Sequence, residues 1–216
     1  MTPLGLVSVN VGLPGVIGSR GGHPVRSGIV KQPVTGVETL KLSEVNLEGD
    51  GQADLTVHGG REKAVYAYAS EHLPRWRAEL SRADIGPGFF GENLTTEGVT
   101  EADVAIGDTW AWGDALLEVA QPRWPCFKLT MRSAVGDMAA RFRGSGRTGW
   151  YFRVVRAGEV PVAGPITVAA RHPAGVAILD AHRAALPGAD PELVHRVLAV
   201  AALSPEWRHH LTPRDR

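Results

Sequence analysis

The sequence predicts a mainly β protein of the α+β kind, a strongly bent sheet or barrel with peripheral helices and a small helical segment at its C-terminal end. Three observations predict it. Short runs rich in valine and aromatics, each ended by Gly, Asp or Pro, recur up to residue 171. The 26 glycines and 15 prolines are spread along the chain, which favours turns and short strands over long helices. Beyond Arg171 the strand alternation stops and helical spacing replaces it.

In chain order, LGLVSVNVG (residues 4–12) alternates and reads as a strand, and GLPGVIGSRGGHP (12–24) reads as loop. Further strands are expected at VETLKL, ADLTV, AVYAYA, DTWAWG, ALLEVAQ, WYFRVVRAG and PITVAAR. Two helices interrupt them. SEHLPRWRAEL has Ser70 as its cap and an early, tolerated proline, and AVGDMAARF follows later. PAGVAILDAHRAAL, PELVHRVLAVAAL and SPEWRHHL read as three short helices separated by proline and glycine breaks. In the middle one, Leu193, Val194, Val197, Leu198 and Ala201 share one face. A boundary near residue 171 divides a β domain, 1–171, from a three-helix extension, 172–216.

With 216 residues the chain is long enough for one large domain, or one with a small appendage. Lys and Arg number 23 and so do Asp and Glu, and no long basic stripe appears, which argues against direct binding of nucleic acid. No apolar run is long enough to span a bilayer, and no N-terminal apolar run follows a basic start, so neither membrane nor secretion is expected. A single cysteine forms no internal disulfide; a reducing, cytoplasmic setting is the simplest expectation.

Four clusters could carry chemistry. In VRSGIVKQPV, Arg26, Ser27 and Lys31 combine a guanidinium, a hydroxyl and an ammonium with exposed backbone N–H groups, the parts a phosphate site uses. The same run also reads as a loop with solvated charges. GDGQADLTVHGGREKAVYAY places Asp54 and His58 four apart before the Gly59-Gly60 turn and Lys63. It reads as a turn or as a place where backbone approaches a ligand. In GFFGENLTTEG, Asn93 belongs to a tight turn or offers paired donor and acceptor groups to a heterocycle. QPRWPCFKL carries Gln121, Arg123, Cys126 and Lys128. Prolines restrain the loop, and the two cations favour a thiolate, suited to a nucleophile or a soft-metal ligand. A buried cysteine acting as a small hydrophobe is the plain alternative. Three of the four lysines, Lys31, Lys63 and Lys128, fall inside these clusters.

Taken in order, SGIVKQPV, GDGQADLTVHGGREKAVYAY, GFFGENLTTEGV, IGDTW and LEVAQPRWPCFKL resemble the MOSC domain, the C-terminal module of molybdenum cofactor sulfurases. The resemblance covers nearly the whole chain and is strongest to the stand-alone bacterial YiiM-like branch, whose three-helix extension the tail matches. Phe127 stands where that branch is expected to have tryptophan. No pyridoxal-phosphate desulfurase domain precedes the matched segment, so the chain is not expected to be a complete cofactor sulfurase.

The resemblance implies a β-barrel core and a molybdenum cofactor (Mo-molybdopterin) with Cys126 as the protein ligand to the metal. It carries Arg26, Ser27 and Lys31 over to the anionic end of the cofactor. Asp54, His58, Gly59, Gly60, Lys63, Asn93, Gln121 and Arg123 would line the site. The implied activity is reduction of N-hydroxylated compounds, such as hydroxylaminopurine-type bases, hydroxylamines or amidoximes, to amines. Nothing resembles a flavin, haem or iron–sulfur site, so a separate reductase would return the electrons. Trp110, Trp112 and Trp124 would stack on a flat substrate or pack in the core. A cofactor carrier without turnover is the alternative, and a metal-free thiol enzyme with His58 as base a third reading. A homodimer is compatible with a barrel bearing exposed helices.

Overall fold

The computed structural model describes residues 2–53 and 59–212. The expected strand at ADLTV and the candidates Asp54 and His58 lie wholly or almost wholly outside the described residues. The core is a barrel of seven strands. These are β1 (Thr2–Val11), β6 (Val65–Ala69), β7 (Leu94–Glu97), β8 (Thr109–Trp112), β9 (Ala115–Pro122), β10 (Trp150–Arg156) and β12 (Pro165–Ala170). They run in the order β12-β8-β9-β10-β6-β7-β1, and β1 closes the ring by pairing Leu4 with Ile166. All pairings in the ring are antiparallel except β6 with β7. Closure leaves no free edge along the ring, and register shifts in β1, β9–β10 and β12 bend it.

Three two-stranded or edge pieces decorate the barrel. β4 (Gln32–Pro33) adds to the end of β1, and β5 (Thr39–Leu42) pairs with β11 (Gly158–Pro161). The third corrects an expectation. The run 12–24, read as loop, contains β2 (Gly15–Arg20), which pairs with β3 (His23–Ser27). Gly21 and Gly22 both adopt positive φ, 58° and 80°, the turn that matches strand twist in a two-residue hairpin.

Inside the barrel Trp110, Trp112, Trp150 and Phe152 are fully buried, with Trp110 5.2 Å from Phe152 between ring centroids. Trp110 and Trp112 are therefore core residues with no route to a substrate; Trp112 Nε1 donates to Pro161 O at 2.9 Å. β6 is buried at every position. Val65 and Ala67 join the barrel core, while Tyr66 and Tyr68 join a second apolar cluster with Trp76, Phe90 and Phe142. Three helices serve that outer region: α1 (Leu73–Leu80), α2 (Phe127–Ser133) and α3 (Met138–Ser145). The helix α2, directly after the cysteine, was not expected from the sequence.

The tail forms α4 (Ile178–Ala184), α5 (Pro191–Leu198) and α6 (Pro205–Leu211), each where a helix was expected. Asp190 and Ser204 cap α5 and α6 by accepting from Glu192 N and Trp207 N, with proline at the first helical position of both. Val197, Trp207 and Leu211 pack into the same apolar core as the barrel. The expected face of α5 holds at Val197, while Ala201 is exposed beyond the helix end. The first half of β9 alternates in burial, but its second half is buried throughout because the tail covers the outer side; Ser204 N donates to Ala120 O at 3.1 Å.

Because Trp207 is buried between tail and barrel, Trp207→Ala removes both packing and closure. The expected loss is about 3–5 kcal/mol of unfolding free energy, read by urea denaturation.

Candidate functional site

Cys126 sits where β9 leaves the barrel. Arg123 N donates to Gly149 O at 3.2 Å, which holds the chain to β10 one residue past the strand end. Pro122 and Pro125 fix φ at two points before it, and Cys126, extended at φ −123° and ψ 174°, is the N-cap of α2. The thiol is half-buried and opens into a cleft. Arg123, Trp124, Lys128 and Tyr151 share the cleft wall with it, and the loops at 27–31 and 50–53 form the opposite side.

Those loops are held by buried polar bonds. Asp50 is 9% exposed and saturated. Its Oδ1 accepts from Gly12 N at 2.9 Å and pairs with Lys31 Nζ, and its Oδ2 accepts from Asn93 Nδ2 at 2.9 Å. Asn93 also donates to Asn10 O and accepts from Tyr66 N, at 3.2 and 3.1 Å. Gly28 and Gly51 face each other so closely that a Cβ on Gly28 would collide with the Gly51 carbonyl. Glycine is required there by contact, not by dihedral angle. Burial pulls the Lys31 ammonium below its ordinary pKa, and Asp50 opposes that shift.

Arg123 is the second buried cation, 5% exposed. It donates to Phe90 O and lies over the Tyr66 ring at 4.6 Å. Among the described residues it has no carboxylate within ion-pair distance. Burial works against its charge, but a guanidinium stays protonated near neutral pH even so. The nearby Glu92 carboxyl is pushed up by burial and is occupied by Gly88 N, Phe90 N and Thr95 Oγ1. A buried guanidinium turned toward a thiol and an open cleft is a place for an anion.

The tail reaches this cleft. Lys63, on a single 3₁₀ turn (Arg61–Lys63) before β6, pairs with Glu206 of α6 at 2.5 Å. The Trp124 ring is packed by His182, Trp207 and His210, with centroids 5.8, 5.6 and 4.8 Å away.

Of the residues expected from sequence, Ser27, Lys31, Lys63, Asn93, Arg123 and Cys126 come together around the cleft. Four do not line it. Arg26 is exposed on β3, donating to Pro14 O at 2.8 Å. Gln121 is buried in β9, with Oε1 unpartnered among the described residues. Gly60, with Gly59 before it, shapes the 3₁₀ turn by φ 90°. Lys31 and Asn93 are both bonded to Asp50, and Asn93 also to the backbone, so they build the wall. Sequence reasoning missed Asp50, Tyr151 and Glu206. Asp50 was hidden inside Gly49-Asp50-Gly51, which reads as a turn, and its partners lie 19, 38 and 43 residues away.

Removing the Asp50 charge leaves a buried, unpaired ammonium. Asp50→Asn should cost about 3–5 kcal/mol by chemical denaturation, while Lys31→Met/Asp50→Asn together should cost less than the single change.

A family model for the MOSC domain matches residues 54–167. YflK of Bacillus subtilis is 39% identical over 204 residues, covering 94% of this chain and 90% of that protein. A protein named reductase from Gibberella moniliformis is 40% identical over 146 residues, which are 66% of this chain and only 25% of its own. The crystal structure of YiiM from Geobacillus stearothermophilus superimposes with a TM-score of 0.77 at 29% identity, over 97% of this chain and 100% of that one. The cleft around Cys126 is thus carried on a known framework, and the chain belongs to the MOSC domain family, in its stand-alone YiiM-like branch.

Proposed function

We propose that this protein is a molybdenum-cofactor-dependent reductase that converts N-hydroxylated compounds to amines, using electrons from a separate reductase. The observation that carries the reading is the pairing of one half-buried thiol, Cys126, with one buried guanidinium, Arg123, at a common cleft. MOSC domains are associated with molybdenum cofactor binding. The donor set fits that group: a soft sulfur for the metal, and cations for an anionic pterin phosphate. When bound, the group supplies two-electron reduction of the N–O bond, with net conversion of R₂N–OH, two electrons and two protons to R₂NH and water.

Each protein residue then has a task. Cys126 would hold the metal, on a backbone already fixed by Pro125 and by Leu129 N donating to Cys126 O at 3.0 Å. Arg123 balances the negative charge gathered beside it. Lys63 and Lys128 are the lysines of the cleft wall not bound to Asp50, and they would meet the anionic end together with backbone where Gly28 and Gly51 leave room. Trp124, half-buried and held by the tail, offers the aromatic face for a flat substrate. Lys31, expected as a phosphate ligand, acts here through the wall it holds.

Two measurements test this. Protein made in a host that synthesises the cofactor should carry molybdenum and reduce benzamidoxime with a chemical reductant. Cys126→Ser should keep the wild-type circular dichroism and melting profile but lose both molybdenum and turnover, since a hydroxyl is a poor soft-metal ligand. Wild-type turnover by the Ser variant sinks the assignment, and molybdenum retention without turnover by wild type makes the protein a carrier.

Lys128→Ala should lower cofactor retention about tenfold after gel filtration, as expected for one charge-assisted contact of ~1.4 kcal/mol. Lys41→Ala, at an exposed position of β5, should retain it fully. Equal retention by the two variants removes Lys128 from the site.

A further inference from the structure

Although the formal net charge is zero, the charge is unevenly placed. No Asp or Glu occurs in residues 1–37, and none in residues 119–136. The fold joins these two acid-free runs beside the cleft. The β2–β3 hairpin lies on α2, with Arg20 4.6 Å from the centroid of the Phe127 ring and Gly18 against the Met131 side chain. Across the hairpin Val16 pairs with Arg26 and Arg20 with His23. Arg26 in turn holds Pro14 O, and Pro14 and Leu13 lie against Gly51 in the cleft wall. One unbroken rim therefore runs from α2, over the hairpin, to the cleft edge.

This rim is also apolar. Leu13 is 73% exposed, Val16 60% and Phe127 38%. Large apolar side chains set among Arg20, His23 and Arg26 make up a docking surface better than a solvated face. Nearby carboxylates are already paired: Asp50 with Lys31, Asp84 with Arg82 at 2.5 Å, and Asp137, which ends the second acid-free run, with Arg141 at 2.8 Å.

We infer that this hairpin–α2 rim is the docking surface for an acidic electron-donor protein. The inference rests on the reductase reading above. Each N–O bond reduced takes two electrons, so two molecules of a one-electron donor are each oxidised once, and the two protons come from water. An acidic donor complements the rim's charge, and Leu13, Val16 and Phe127 give it apolar anchors next to the cleft that needs the electrons. A nucleic acid would meet the same charge, but it would find one exposed aromatic ring where base stacking calls for several.

The test uses flavodoxin, a small acidic flavoprotein, as probe and the full chain as target. Association with wild type should slow as NaCl is raised from roughly 50 to 500 mM. Arg20→Glu/Val16→Glu should lower the association rate about tenfold and leave methyl-viologen-driven turnover of the molybdenum-loaded protein unchanged. Arg196→Glu, on α5, should bind like wild type. Salt-insensitive association, equal rates in the rim and α5 variants, or a short single-stranded DNA binding as tightly as flavodoxin overturns the proposal. If wild type shows no viologen-driven turnover, the reductase reading fails instead, and the association rates still judge the rim.

Discussion

The site depends on one buried carboxylate. Asp50 binds the end of β1 through Gly12 N, the loop before β4 through Lys31, and the start of β7 through Asn93. The contacts lie at the strand ends, at Gly12, Lys31 and Asn93, where the ladder of the sheet no longer sets the path of the chain. An ion pair of this burial contributes little net stability compared with an apolar replacement, because both charges lose their hydration. Its value is geometric: a carboxylate with every partner in place accepts one arrangement of the loops and rejects slipped ones. The cleft wall opposite Cys126 is the surface of that arrangement.

The thiol side is fixed differently, by covalent and apolar means. Two prolines and the Arg123–Gly149 hydrogen bond set the backbone, and Trp124 is gripped by the tail. The tail is thereby more than cover for β9. Through Trp124, and through Lys63 paired with Glu206, α6 touches two residues of the cleft wall. The pair Lys63–Glu206 is half open to water, with Glu206 58% exposed, so it is weakly held.

How legible was this from sequence? Six of the seven barrel strands were readable because valine and aromatic runs are strong signals, and the tail helices because proline and glycine bound them; β7, Leu94–Glu97, was not, because it lies in a run that reads as a turn. The ordered motifs placed Cys126 and its neighbours in one family. The hairpin was not readable: its glycines and prolines carry the same letters as a loop, and pairing across a Gly-Gly turn is a matter of dihedral angle. Burial at every position of β6 was equally hidden, since two-sided burial depends on helices α1, α2 and α3, which follow later in the chain. Most instructive are Lys31 and Asn93. Their presence near the site was visible, but their roles were set by Asp50, a partner with no local signature. A residue type says which bonds are possible; only the fold says which are already made.

That distinction also explains why a neutral chain gathers cations here. Lys31 and Arg123 are both buried, yet only Lys31 has its counter-charge within the protein, among the described residues. Burying a guanidinium without a carboxylate is costly unless something else supplies negative charge. Tyr66 and Tyr151 cannot do so near neutral pH, because burial raises the pKa of both phenols and keeps them protonated. The nearby Glu92 carboxyl is not at ion-pair distance; burial raises its pKa, and its oxygens are taken by Gly88 N, Phe90 N and Thr95 Oγ1. Arg123 therefore stands in the cleft wall as a cation that an anion bound there would complement. A fold that holds such a cation ready has already met much of the desolvation cost of binding, and leaves the incoming anion to recover it.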